Sequence, residues 1–457
     1  MSSALDRARD RMRRAGATNA ALDVFTHYYH EVASGAGGYI EESSITPLLD
    51  PPELSGVSVD AGEAREALGR TAVIKLNGGL GTSMGLDGPK TLLPVRDGRT
   101  FLDILVEQVR HARRAYGTRL PLIFMNSFRT REATLTYLER YPDLPVAGLP
   151  VDFLQGFEPK LTRDGLEPVD WPAEPGLEWC PPGHGDIYTS LVGTGLLDAL
   201  LDAGFSYANM ANGDNLGAAP DPTLAGWFAA SGAPYAAEVC LRTPNDRKGG
   251  HLAIRGADGQ LILRDTAQTR PDEMHYFTDE HRHRFFHANN LWVDLAALKH
   301  LMAERRNVLG LPLIRNQKTV DPSDPDSTPV VQLETAMGAA VEVFPGAQAI
   351  AVPRSRFLPV KTTNELMLLR SDAYELTEDA RLVAVADQVP RITLDPRFYA
   401  LLPDFDDRVQ VVPSLVGATA LEVRGDWTFA EPVQVVGSAT LDDSGSPAAV
   451  PPGRLGA

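Results

Sequence analysis

Residues 76–90, LNGGLGTSMGLDGPK, form the stretch whose composition most directly invites chemistry. Gly78, Gly79, Gly81, Gly85 and Gly88 let backbone N–H groups close on an anion, and a phosphate is the usual guest of such a loop. Lys90 at its end can set a cation beside that phosphate. Two familiar phosphate motifs fail here. A Walker loop needs Gly-Lys-Ser/Thr, but Pro89 separates Gly88 from Lys90. A dinucleotide fingerprint counted from Gly79 needs a third glycine where Met84 stands. The bland alternative is a flexible surface loop. Against it, the run follows the strand-like segment TAVIKL (71–76) and ends in Pro-Lys. Lys75, inside that segment, suits a structural role as well as a phosphate contact.

Four more stretches carry polar groups in loop-like settings. In WCPPGHGDIY (179–188) two prolines stiffen the chain and Gly183 and Gly185 expose the backbone around His184, whose ring could donate to a phosphate or sugar oxygen. Asp186 there suits a cap for the helix that follows. In NMANGDNLGA (209–218), Asp214 follows a strand among small residues. A lone carboxylate so placed suits Mg²⁺, which takes one or two protein carboxylates and fills its shell with phosphate and water; an Asx turn is the rival role. In FHANNLW (286–292), Asn289 and Asn290 offer donors and acceptors suited to sugar hydroxyls, or to a turn. VPRSRFLPVKTT (352–363) gathers Arg354, Arg356 and Lys361, which could offset a polyphosphate.

A glycine-rich anion cradle, a metal carboxylate, an Asn pair and a basic loop point to phosphoryl or nucleotidyl transfer. That chemistry needs positioning and charge neutralisation more than a protein nucleophile. No Ser-His-Asp or Cys-His arrangement and no C-x-x-C motif competes. His283 and His287 have H-x-x-x-H spacing but lack the Glu of a zinc-protease motif, so a surface His-Arg cluster is the expected role.

The 457 residues carry 43 Lys and Arg against 60 Asp and Glu, a formal net charge of −17, which argues against nucleic acid as a partner. Cys180 and Cys240 cannot build a multi-bridge framework and are expected as ordinary thiols. No apolar run reaches the ~18 residues of a membrane span. The basic N-terminus has no apolar segment after it, so no membrane association and a cytoplasmic location are expected.

These loops need elements to hold them. Helical spacing is expected in residues 1–45, a loop over 47–62, and then strands at 71–76, 120–125 and 206–210. Helices are expected at 101–116, 131–141, 191–203 and 366–376, with an extended run at 146–153. Alternating strands and helices predict an α/β fold whose ligands sit at the carboxyl ends of parallel strands. Beyond about Arg391 helical stripes fade into short extended runs (409–413, 420–423, 428–429, 433–436), a β module whose spacing would suit coiling in rungs. The expected domains are a helical arm (1–62), a catalytic domain (63–385), a β module (386–443) and a disordered tail (444–457).

In order along the chain, KLNGGLGTSMGLDGPK, PPGHGDIY, NGDNLGA, NNLW, VVQLETAMGAA and VPRSRFLPVKTT resemble stretches of the eukaryotic-type UTP–glucose-1-phosphate uridylyltransferases. The resemblance implies a nucleotidyltransferase domain, Rossmann-like with a mixed, mostly parallel sheet, and a C-terminal left-handed β-helix. It implies Mg²⁺ as cofactor, UTP and glucose 1-phosphate as substrates, and UDP-glucose and pyrophosphate as products. Carried onto this chain, it places Leu76, Gly78 and Gly79 against the nucleotide. It implies that Gln155 and the Gly183 backbone read uracil and that His184 contacts the phosphates. It further implies that Lys90 and Lys361 bind phosphates, that Asp214 holds the metal, and that Asn212, Gly250 (in RKGG) and Asn290 line the sugar pocket. The chain departs from the family where Asp265 in LRDTAQT replaces a sugar-contacting Glu, where Thr91 follows Lys90, in the His-Ala of FHANNLW, and in a shortened tail. Another sugar or cyclitol 1-phosphate is therefore the alternative acceptor, a non-catalytic UDP-sugar sensor is a more distant reading, and oligomerisation stays open.

Overall fold

Ser3 and Thr18 start two helices, Ala4–Arg14 and Asn19–Ala33, by accepting hydrogen bonds from the first-turn backbone; Ser3 and Asp6 form a capping box. The computed structural model describes residues 3–35, 38–243, 246, 249–386 and 388–456. Ala8, Met12, Leu22 and Phe25 bury one face of this arm against Leu161, Val331 and Leu333 of the main body. These two helices pack by their apolar stripe, whereas Ile45–Pro47, farther along, is a strand of the main sheet.

The main body is built on a mixed sheet. Its central run is Tyr207–Asn212, Thr71–Asn77, Leu122–Asn126 and Asp152–Leu154, paired in parallel in that order. Leu122–Asn126 is buried at every position and Thr71–Asn77 at all but Leu76, as parallel strands covered on both faces must be. Phe285–Asp294 runs antiparallel to Tyr207–Asn212 and also pairs Tyr235–Leu241. Gly250–Arg255, Leu261–Asp265, Ile45–Pro47 and Gln348–Ala351 complete the sheet. In register, Asn212 faces Leu76, Asn77 faces Asn126 and Asn126 faces Leu154. The carboxyl ends of four parallel strands therefore align, and the loops after them meet.

The helix Phe101–Tyr116 has the predicted bounds, with Thr100 and Asp103 as a capping box and Gly117 in the left-handed conformation after its end. Other elements differ from expectation. The single helix expected over 191–203 is two, Asp186–Gly193 and Leu196–Asp202, divided at Gly195, whose φ is 76°. The helix expected over 366–376 ends at Arg370, and Tyr374–Leu376 is a strand. Two short helices, Pro396–Tyr399 and Leu402–Arg408, stand where only extended runs were expected; each has Pro in its first turn, where a missing N–H costs nothing.

The C-terminal part is a parallel ladder of Arg391–Leu394, Ser414–Val423, Val433–Leu441 and Gly453–Leu455. A second parallel pair, Trp427–Thr428 with Ala448–Ala449, lies between those strands in sequence. Leu415, Leu421, Phe429 and Val435 are fully buried inside it. The segment 444–456 belongs to this ladder rather than to a disordered tail. Its few apolar side chains were misleading, because order comes from ladder hydrogen bonds (Val450 N to Thr428 O, 2.9 Å) and from buried Val450. Cys180 and Cys240 are free and buried. Among the described residues no helix is long and apolar enough to cross a membrane.

Candidate active site

A cavity of about 300 Å³ opens at the aligned strand ends. Its lining brings together Leu76, Gly78, Gly79, Lys90, Gln155, Gly183, His184, Asn212 and Asp214, all singled out in the sequence, with Asn77, Thr91, Met125 and Pro181. Asn77 ends its strand by donating to Asn126 Oδ1 (2.8 Å) and Thr134 Oγ1 (2.9 Å) and accepting from Thr91 Oγ1 (2.6 Å). This knot ties the two ends of the glycine-rich loop to the sheet. Gln155 N donates to Asn126 O at 2.8 Å, and its amide lies on Gly78, where a Cβ would stand 2.5 Å from Gln155 Oε1. Gly183 has φ 79°, and a Cβ there would meet the Thr335 carbonyl oxygen at 2.5 Å, so only glycine lets this loop close.

Lys90 Nζ donates to Asp214 Oδ2 at 2.7 Å and to the Val360 carbonyl. One ammonium thus joins the glycine-rich loop, the loop after Tyr207–Asn212 and the basic 352–363 loop. His184 opens onto the cavity. Its Nδ1 accepts from Met337 N at 2.9 Å, so the ring proton is on Nε2, free to donate to a ligand. Asn212 Oδ1 accepts from Asn289 Nδ2 at 3.1 Å, and Asn289 is held at φ 55°.

Asn290, Gly250, Asp265 and Lys361 stand outside this lining. Asn290 is fully buried: Nδ2 donates to Glu238 Oε2 and Arg356 O (both 3.1 Å), and Oδ1 accepts from Asn215 Nδ2 at 2.9 Å. Its neighbour Asn289, half-buried, is the one joined to the lining, through Asn212. Gly250 pairs with Asp265 across adjacent strands; Arg247 and Lys248 of the same RKGG stretch lie outside the described residues. The Asp265 carboxylate caps its own turn through Ala267 N at 3.2 Å. Burial raises the Asp265 carboxyl, and Lys361 is close enough to pull it down. Lys361 is exposed, just ahead of the helix Thr363–Arg370.

The basic loop is less basic than its composition. Arg354 is taken by Asp246 (2.6 and 2.9 Å). Arg356 is buried in a two-bond pair with Glu238 (2.7 and 2.9 Å). Lys361 remains the cation of this loop available to a substrate. Lys75 is also buried; its ammonium donates to Ala218 O at 2.8 Å, and burial pulls it down to about 7. Asp186 makes no cap bond to its helix; its carboxylate accepts from Gly156 N instead. The surface His-Arg cluster expected of His283 and His287 is not found: both rings are buried, His283 against the Glu42 carboxylate and His287 with Nδ1 accepting from Asn289 N, and among the described residues neither is in a metal-binding group. Glu238 was the residue sequence reading missed. Its signal was a lone carboxylate in the apolar run YAAEVCL, which demanded a buried cation.

A mixed α/β sheet with these loops at its strand ends matches solved structures along nearly its whole length. The UDP-glucose phosphorylase of Trypanosoma brucei is 41% identical, with TM-score 0.92, 99% of this chain and 98% of that chain covered. A mutant UDP-glucose pyrophosphorylase from Leishmania major, in complex with UDP-glucose, is 41% identical with TM-score 0.93, covering 99% and 98%. Fold and site together define a nucleotidyltransferase. Residues 22–435 match the family model of UTP–glucose-1-phosphate uridylyltransferase. The potato (Solanum tuberosum) protein of that name is 37% identical over 89% of this chain and 85% of its own length. A probable one from Schizosaccharomyces pombe is 34% identical over 92% and 82%. The chain belongs to the UTP–glucose-1-phosphate uridylyltransferase family.

Proposed function

We propose that this chain converts UTP and glucose 1-phosphate into UDP-glucose and pyrophosphate. One observation carries the reading: Lys90, bonded to Asp214 and to the Val360 carbonyl, gathers the three loops that must surround a triphosphate. An oxygen of the sugar phosphate attacks the α-phosphorus of UTP; a P–O bond forms there as the bond to the β-phosphate oxygen breaks and pyrophosphate leaves. No protein base is needed, because a phosphate monoester with a second pKa of about 6 is already ionised at neutral pH. Lys90 and Lys361 offset charge on the transferring and leaving phosphates. Gly78 and Gly79 face the nucleotide, Gln155 and the Gly183 backbone read uracil, and His184 Nε2–H donates to phosphate oxygens. Asn212, Gly250 and Asp265 bound the sugar pocket, with Asn290 beneath them fixing the strand that presents Asn289.

Asp214, the one carboxylate lining the cavity among the described residues, fits Mg²⁺ that arrives with the nucleotide and would hold it. When bound, Mg²⁺ neutralises the triphosphate and sharpens the electrophile. The parallel ladder of the C-terminal part is read as a left-handed β-helix on a catalytic domain spanning 63–385, with the arm at 1–62. Two buried free thiols are in keeping with a reducing, cytoplasmic setting.

The Asp265 carboxylate, engaged by its own turn, favours a second reading in which the acceptor is another sugar or cyclitol 1-phosphate. Chromatography of the nucleotide sugars formed from UTP and a panel of sugar 1-phosphates decides between them. UDP-glucose as the dominant product is expected; a different dominant product establishes the second reading.

A further inference from the structure

We propose that Asp186 is a positioning residue for the nucleobase, its carboxylate latching the 155–157 loop so that Gln155 is presented to uracil. The proposal rests on the nucleotide site read above. Asp186 Oδ2 accepts from Gly156 N at 2.5 Å and from Ser190 Oγ at 2.6 Å, and Gly156 N also reaches Ser190 Oγ at 3.1 Å. Gln155 is therefore fixed from both sides: its own N–H is bound to the strand end at Asn126 O, and the next N–H is bound to the latch. A Cβ at position 156 would stand 3.0 Å from Asp186 Oδ1, so any side chain there would push the carboxylate off its place by a few tenths of an ångström. Gln155 lines the large cavity, whereas Asp186 lines a separate small one, so Asp186 acts on the base only through Gln155.

The groups facing Asp186 leave the latch dependent on its charge. Glu158 shares the small cavity, is buried with Oε1 unpartnered, and is driven toward its neutral form by burial and then by the Asp186 charge. Tyr28, from the arm helix Asn19–Ala33, spends its hydroxyl on Leu311 O at 2.9 Å. His184, two residues ahead, is turned to Met337. Burial pushes the Asp186 carboxyl up to about 6, against the two hydrogen bonds that favour the charged form. Protonation below that point removes the charged acceptor on which both donors converge.

The test is the Kd for UDP-glucose across pH, by calorimetry on the full chain. This ligand is chosen because its diphosphate gains no proton in the range. Wild-type affinity is expected to fall about tenfold between about pH 7.5 and pH 5, the factor for losing one charge that titrates near 6. Asp186→Asn is expected to bind about tenfold more weakly at pH 7.5 and to lose the acid fall, with KM for UTP raised and kcat within about threefold. Ser190→Ala, which keeps the carboxylate, is expected to weaken binding about threefold and to keep the fall. Wild-type-like affinity or an unchanged acid fall in Asp186→Asn overturns the proposal, as does a loss confined to kcat. If Asp186→Asn does not fold, Ser190→Ala decides, and unchanged affinity there overturns it. A wild-type chain that fails to bind UDP-glucose overturns the functional reading instead.

Discussion

Lys90 and Lys361 divide the charge work differently. Lys90 is half-buried and already committed to Asp214 and Val360, so it organises the site before substrate arrives. Lys361 is exposed and close to Asp265, and its ammonium is available to the phosphates. Lys361→Ala is therefore expected to lower kcat at least ~10²-fold, as for the loss of one transition-state donor, while the thermal midpoint stays unchanged. Steady-state kinetics beside a melting curve checks this, and an unaltered kcat removes Lys361 from the mechanism. The Asn pair splits similarly. Asn289→Ala is expected to raise KM for the sugar phosphate about tenfold, one hydrogen bond's worth, with KM for UTP unmoved. The residue types and spacing identified the cavity lining well, because glycine runs and strand-end carboxylates advertise themselves locally. They did not distinguish Asn289 from Asn290, since which of two adjacent side chains reaches Asn212 on the lining and which is buried on Glu238 depends on a positive φ that sequence does not display.

At the scale of elements, the 352–363 loop is held from beneath. Glu238 sits mid-strand, fully buried, accepting from Trp292 Nε1 at 3.0 Å, from Asn290, and from both arms of Arg356. Asn215 links the same loop through Leu358 N (2.8 Å) and Arg356 O (3.1 Å). Arg356→Met leaves the Glu238 carboxylate buried without its cation. A loss of about 3–5 kcal/mol in unfolding free energy is expected, larger than for any exposed pair, with Lys361 displaced and activity falling alongside. Denaturant unfolding measures it; a loss under about 1 kcal/mol would mean the pair does not anchor the loop. Apolar periodicity located the elements that carry this scaffold, and capping gave Phe101–Tyr116 its bounds. Periodicity failed where Gly195 breaks a continuous apolar stripe, and where Pro-initiated helices of one or two turns are too short to show a stripe at all.

Across the whole molecule, buried titratable groups pull stability in opposite directions. His251 and His283 stack with ring centroids 3.8 Å apart, His251 also packs on Phe277, and burial holds both imidazoles, with His287, below their usual range. They stay neutral in the fold while the unfolded chain takes up protons near pH 6.5, so stability falls as pH drops below that value. Glu158, Asp186 and Glu342 are raised by burial, Glu342 to about 7. They keep protons that the unfolded chain loses above about pH 4, so their contribution falls as pH rises. His251→Phe, which preserves the stack, removes one acid-destabilising group. Relative to wild type it is expected to gain roughly 1 kcal/mol on going from about pH 7.5 to pH 5.5, read from denaturant unfolding; an equal difference at both pH values contradicts this account of the stack. At this scale the C-terminal ladder was legible as a β module, but its last strands were not. Their order comes from backbone pairing with Trp427–Thr428 and Val433–Val435, which composition does not report.

The most direct test of the central claim is pyrophosphate release by the purified chain with UTP, Mg²⁺ and glucose 1-phosphate, compared with Asp214→Ala. Release that requires all three additions and is abolished in the variant is the predicted result. Release that persists in Asp214→Ala, or no release with glucose 1-phosphate or any other sugar 1-phosphate, would contradict it.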